Sequence, residues 1–549
     1  MKSQVDQLRK WCKQAYEQHK YGTAELIGDK VLALTNSSED AYWQAQTFYA
    51  RGFYLRAAHL LTSREDHLKS LRARYLVGLS LIAAEKYEEA LAMVTDAAVD
   101  ALIEAESQSM ASDDDSGASS RSLLYYLEGQ IHTLQNNYER AKTAYTRAVT
   151  TDPRCYDAYA QLVGHQLMSS SEQRKLIAGL DFSVLGANAD LVKALYVVRM
   201  SKASDLEMVN DALATLDEEY DFKTNVDLMV VRSDILLMHC RYAECRDLCE
   251  TALTLDPHNY SVYPNYLTCL QELKCLNSLF EVAHTLAREC PDEAVSWLAV
   301  GIYYFTKGNL SDARRYFSKA SIMEPYCSAA WLGFAHTFAQ EGEYEQAITA
   351  YSTTARLFPG SHLPYLFLGM QHLHLNNLSL AGEYLMTSFS ICDNDPLLLN
   401  EIGVVHYNKN ELDRAREFLE KALEIANSLE SDPESWLCIH SNLGFVYRRL
   451  GDYTTSLQFF NHVLKSSKQD PSILSAAALV HMQLGEPDKA ILRLNQALSL
   501  SRNDSITLDL FSRAIEEASN DFDPETMVDQ HPQLSLDDIT GDKDAMAQD

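Results

Sequence analysis

The chain has 549 residues, 46% hydrophobic and 23% charged, the balance of a folded protein. Its formal net charge of −30 repels phosphate and an anionic bilayer, which excludes nucleic-acid and membrane binding as expected functions and makes a solvated acidic exterior the plain reading. Length alone suggests roughly three or four domains, but internal repetition replaces that prior, because stacked repeats need no separate cores.

The opening, MKSQVDQLRKWCKQ, is polar and amphipathic, so no signal peptide is expected. No run approaches the ~18 uninterrupted apolar residues of a membrane span. A first helix-turn-helix unit, about 5–38, is degenerate, with Leu8, Cys12, Ala15, Ala24 and Val31 at its pattern positions. The second, about 39–70, carries Tyr42, Tyr49 and Ala58, and the third, about 71–104, has Gly78 and Ala90 in its small slots. Trp11, Tyr16, Tyr42, Trp43, Phe48, Phe53 and Tyr54 crowd the first two units, more aromatic side chains than a solvated end needs. Residues 105–121 are rich in Ser and Asp and have no apolar face, so a disordered acidic insert is expected there. Its serines could accept phosphate, although a solvated loop is the simpler reading. Over 122–225 the repeats become irregular. The unit at 122 keeps Tyr125, Gly129, Ala141, Tyr145 and Ala148, while the next keeps Tyr159 and Leu162 and loses its second half in MSSSEQRKLIAGLDF.

Register returns at about 226. Trp297, Val300, Gly301 and Tyr304 mark one helix face, Gly308 and Asn309 interrupt it, and Ser311 is the expected N-cap of a second helix carrying Ala313, Phe317 and Ala320. Gly301 is expected to face Ala313, letting two backbones approach, with Trp297 and Phe317 filling the space beside them. Pro257, Pro291, Pro325 and Pro359 close successive second helices at intervals of 34, the period and residue order of tetratricopeptide (TPR) repeats. Units at 362–395 and 396–429 follow in phase. A seven-residue insertion, SLESDPE, precedes units at 437–470 and 471–504, and a last helix, about 505–519, covers the end. The segment 226–519 is thus one C-terminal repeat array, and the acidic, aperiodic 520–549 is an expected disordered tail. The fold expected is an all-α, right-handed TPR superhelix of about fourteen repeats.

No nucleophile elbow, phosphate loop or zinc-ligand spacing is present, so neither catalysis nor a cofactor is expected. Cys240, Cys245 and Cys249 read as packing thiols, which suits a reducing compartment, cytosol or nucleus. His372, His374, His406 and His481 read as packing or lining residues. What remains is a binding groove on the first helices, at positions that do not meet their own second helix. These are Leu298, Ile302 and Phe305, then Leu332 and His336, then Leu366, Met370 and Leu373. Asn400, Glu401, Val404 and Tyr407 follow, then Ser441, Asn442, Phe445 and Arg449. Asn amides can pair with the peptide groups of an extended ligand. A co-chaperone that clamps a peptide carboxylate is the rival reading, but Leu298, Leu332 and Leu366 stand where several Lys or Arg would be needed.

The blocks YWQAQTFYARGFYLRAAHLL, LLLNEIGVVHYNKNELDRAREFLEKALE and WLCIHSNLGFVYRRLGDYTTSLQFF resemble one family, over roughly residues 1–520. It is the TPR subunit of the anaphase-promoting complex that pairs with a small acetyl-methionine subunit, the sixth subunit in the usual numbering. The resemblance implies a non-catalytic scaffold of a cell-cycle ubiquitin ligase in nucleus and cytoplasm, in contact with other TPR and scaffold subunits. It also implies a homodimer through the N-terminal repeats, which together with the aromatics named above is expected to use about residues 1–190, each N-terminal end lodged in its partner's groove, and a groove that encloses the acetylated N-terminus of the small subunit. Members are commonly phosphorylated by proline-directed kinases, yet no Ser-Pro or Thr-Pro occurs here, so any such control would use other sites.

Overall fold

The structure is a computed structural model that describes residues 2–63, 67–68, 70–95, 119–200, 206–429, 435–466, 470–502 and 504–520. Residues 105–118 of the expected insert, 430–434 of the seven-residue insertion and the tail from 521 lie outside the described residues. Among the described residues there are 29 α-helices, two short 3-10 turns (Phe182–Asn188 and Phe222–Thr224) and no strand. Internal contacts divide the chain into two units between Glu401 and Ile402.

In the first unit, helices pack against their neighbours in sequence as antiparallel pairs, and first helices also touch the first helix of the next pair. The second helices Tyr242–Leu255, Leu276–Glu289, Leu310–Met323 and Tyr344–Leu357 each stop two residues before the prolines of the 34-residue period. Small residues let these pairs close. Ala313, Ala320, Ala330 and Ala347 are wholly buried. A Cβ at Gly301 would lie 2.7 Å from the ring of Phe317, so the glycine makes room for that ring, one of the two side chains expected beside it. The same ring would lie 2.8 Å from a Cβ at Gly333, so Phe317 sits between first helices of successive repeats. The rule is general: Gly129 meets Tyr145 and Gly369 meets Leu385, each sixteen positions on.

Ser311 is not the N-cap. The helix begins at Leu310 after Asn309, and Ser311 lies inside the first turn with its hydroxyl on Asn309 Oδ1. The preceding helix ends because Gly308 takes a left-handed φ of +84°, a conformation that costs a glycine little. The second half of the fifth repeat is also retained, as the helix Ser170–Gly179. Glu172 reaches back to accept the Ser169 N–H, a capping device that stands in for the missing aromatic pattern.

In the second unit the helices Leu412–Ser428, Leu437–Leu450, Tyr453–Ser466, Pro471–Gln483, Pro487–Leu500 and Ser505–Asn520 repeat the scheme. Gly403 meets Leu419 and Gly444 meets Phe460, again sixteen on. Phe460, Val463, Ile473, Ala477 and Val480 form one buried cluster, and Ala478, Ala490, Leu494 and Ala514 another.

Candidate partner-binding surfaces

Three first helices of the first unit, Ala294–Lys307, Ser328–Glu341 and Leu363–His374, carry half of the expected groove positions, in rows that recur every 34 residues. Leu298 (1% exposed), Leu366 (0%) and Ile302 (8%) are enclosed between neighbouring repeats and act as a floor. Phe305, Leu332, His336, Met370 and Leu373 are half-buried and offer the accessible apolar surface. Phe305 stands edge-on to Phe317 at 6.4 Å. His336 shares a hydrogen bond with Tyr351 Oη and meets the Phe367 ring edge-on at 4.6 Å. Burial lowers its pKa to about 4, so the ring is neutral at physiological pH and behaves as an aromatic with one polar edge.

Farther along the same unit, Asn400 is buried at 2% exposure and its amide donates to Glu401 Oε1 at 3.0 Å. Burial raises the Glu401 pKa, partly offset by that hydrogen bond. In the second unit Val404 and Tyr407 are half-buried, as are Ser441, Asn442 and Phe445 on the helix Leu437–Leu450. Phe445 meets Phe460 at 5.2 Å. Arg449 is exposed; it donates to Asn410 Oδ1 and the Tyr407 carbonyl, and its guanidinium lies 4.6 Å from the Tyr407 ring. The cation therefore closes a turn.

At the N-terminus the seven aromatics divide. Trp11 (51% exposed) and Phe53 (39%) face outward, Phe48 is buried, and Tyr16, Tyr42, Trp43 and Tyr54 are half-buried. Tyr16 and Trp43 meet edge to face at 6.2 Å, with Lys13 over the indole, while Arg56 covers both Phe48 and Phe53. Arg9 and Thr35 both donate to Asp40, tying the first helix to the third. Sequence pattern does not single out Leu26, Leu34 and Leu55, each more than half exposed in the same region. Their positions on helices hold no periodic clue, since only packing decides which side of a degenerate repeat stays bare.

Residues read as packing do pack. His372 stacks on Tyr384, His374 on Tyr344 and His406 on Phe418, and His481 bonds Glu486. Cys245 and Cys249 are buried, and hydrogen bonding with Cys245, followed by burial, holds the Cys249 thiol far above its usual pKa. Among the described residues, no group of three His, Cys, Asp or Glu is arranged to hold a metal ion, and no helix is long and apolar enough to cross a membrane.

Paired antiparallel helices in a 34-residue period, with ring-on-glycine seating, define a TPR protein. TPR profiles match residues 123–155, 298–362 and 395–469, and the family described as "Anaphase-promoting complex, cyclosome, subunit 3" matches 17–97. Anaphase-promoting complex subunit cut9 of Schizosaccharomyces pombe is 37% identical over 94% of this chain and 77% of its own length. Anaphase-promoting complex subunit CDC16 of Saccharomyces cerevisiae is 36% identical over 94% of this chain; the match spans 63% of that protein's length. The human cell division cycle protein 16 homolog is 30% identical over 93% of this chain and 84% of its own. A crystal structure of the "APC/C hetero-tetramer Cut9-Hcn1" superposes with a TM-score of 0.78 at 37% identity, covering 93% of this chain and 97% of that one. The chain belongs to the CDC16/Cut9 family, subunit 6 of the anaphase-promoting complex.

Proposed function

We propose that this chain is a non-catalytic TPR scaffold subunit of the anaphase-promoting complex, a cell-cycle ubiquitin ligase, acting in nucleus and cytoplasm. The observation that carries the reading is the agreement with Cut9 in both sequence and fold over nearly the whole chain. Two copies pair through the N-terminal repeats around Trp11 and Phe53, and each holds a small subunit by its acetylated N-terminal methionine. Cut9 and Hcn1 crystallise as a hetero-tetramer, a stoichiometry that suits two large chains each carrying one small one.

The chemistry of the wall supports the choice of ligand. Acetylation removes the charge of an α-amine, whose burial without a partner is costly. A methionine side chain is flexible and apolar, and it suits the half-buried surface of Phe305, Leu332, Met370 and Leu373 above the Ile302 floor. Asn400, 34 residues beyond Leu366 on the next first helix, would orient peptide groups, each such bond contributing about 0.5–1.5 kcal/mol. Affinity purification of the tagged chain with mass spectrometry tests the assignment. Ligase subunits and a small acetylated protein are expected; recovery of chaperones in their place overturns it.

A further inference from the structure

Within the first unit the chain returns on itself. The Tyr326 hydroxyl donates to the Thr133 carbonyl at 2.9 Å across 193 residues of sequence. The His165 ring stacks on Tyr326, centroids 3.9 Å apart and planes 20° from parallel. One repeat further on, the Gly360 N–H donates to the Gln166 carbonyl at 2.7 Å. All three contacts join helix ends or turns. Thr133 is at the end of Ser120–Leu134, and His165 and Gln166 follow Tyr156–Gly164, with Gln166 at a positive φ of +49°. Tyr326 lies two residues before the helix Ser328–Glu341, and Gly360 three before Leu363–His374.

These residues are departures from the repeat. The position after the phased proline is His258, Asp292, Tyr326 and Gly360 in four successive units. His258 and Asp292 are exposed, as that position would be in a free turn, whereas Tyr326 and Gly360 are half-buried in the seam. A Cβ at Gly360 would lie 2.4 Å from the Met168 carbonyl oxygen and 2.6 Å from that of Gln166. Those are backbone atoms, so no side chain can yield and the two turns would have to part. Burial lowers the His165 pKa to about 4, so the ring that stacks is neutral.

We infer that this seam is a clasp, with Tyr326 and Gly360 as positioning residues that hold the starts of Ser328–Glu341 and Leu363–His374 against the turns at 133 and 165–168. Those two helices carry Leu332, His336, Met370 and Leu373, so closing the clasp and filling the wall are coupled. The coupling rests on the partner reading above; the clasp itself does not. Because coupling is reciprocal, a ligand on the wall must also tighten the turn at 165–168.

Hydrogen exchange by mass spectrometry on the full chain decides the first half without any ligand. Gly360→Val should speed exchange at 165–168 and 358–368 together and leave Tyr242–Leu255 unchanged. Faster exchange confined to 358–368, or none, overturns the clasp. Tyr326→Phe keeps the ring stack and removes one oxygen, so it serves as the milder variant and should speed exchange at 133–136. An N-acetylmethionyl peptide is the probe for the second half. Wild type should bind it, Gly360→Val about tenfold more weakly and Tyr326→Phe about threefold, by loss of one hydrogen bond. The bound peptide should slow exchange at 165–168. Unchanged affinity in a variant whose seam has opened overturns the coupling. A wild-type chain that ignores the peptide overturns the partner reading, and the exchange data still decide the clasp.

Discussion

Replacing Gly301 by alanine is the sharpest test of how these repeats are built. In an exposed helix interior the change stabilises, because glycine costs about 0.5–1 kcal/mol relative to alanine. Here the new Cβ meets Phe317 Cδ1 and Cε1 at 2.7 Å, well inside any normal carbon contact. A Cβ built on Gly333 would likewise lie 2.8 Å from Phe317 Cε1, so the ring sits close to two glycine-bearing helices and must shift to admit the new methyl. Overpacking of this kind costs about 1–3 kcal/mol, so set against that gain the net effect is a loss of up to about 2.5 kcal/mol. Gly22→Ala is the matched control: it is helical, nothing lies within 4 Å of its Cβ, and a gain of a few tenths is expected. Urea unfolding of both variants, with hydrogen exchange to locate the loss to Ala294–Met323, measures the difference. Pairing Gly301→Ala with Phe317→Leu should recover part of the loss, because the smaller side chain makes room. If Gly301→Ala proves as stabilising as Gly22→Ala, the ring-on-glycine account is wrong.

Phe317→Ala should cost about 3–5 kcal/mol by cavity formation, read from the same urea curves. His336 has a folded pKa of about 4, below the ordinary 6.5, so its contribution is complete above pH 6.5 and lost as pH falls toward 4. The melting temperature of wild type should therefore fall more steeply than that of His336→Phe over this window, the difference amounting to at most about 3 kcal/mol. In the full chain Trp11→Ala with Phe53→Ala should shift sedimentation from dimer toward monomer, and an unchanged dimer would place the interface elsewhere. Asn400→Ala should weaken an N-acetylmethionyl peptide about tenfold while leaving that dimer intact, and equal affinity for acetylated and free peptides would show that the wall does not read a capped terminus.

The helices, their 34-residue period and the prolines that close them are legible in the residues, because each is fixed by contacts within a repeat or with the next one. Ala313, Phe317 and Ala320 fall on one face whatever the rest of the chain does. The groove positions are legible as a row but not by depth. Only packing between repeats decides that Leu298 and Leu366 are floor while Phe305 and Met370 remain reachable, and that Asn400 already spends an amide on Glu401. Farthest from the sequence is the seam of Thr133, His165, Gln166, Tyr326 and Gly360. Periodicity records neighbours one repeat apart, whereas a meeting across 193 residues depends on the small rotation added at every intervening pair, a quantity set by side-chain packing and written in no single repeat.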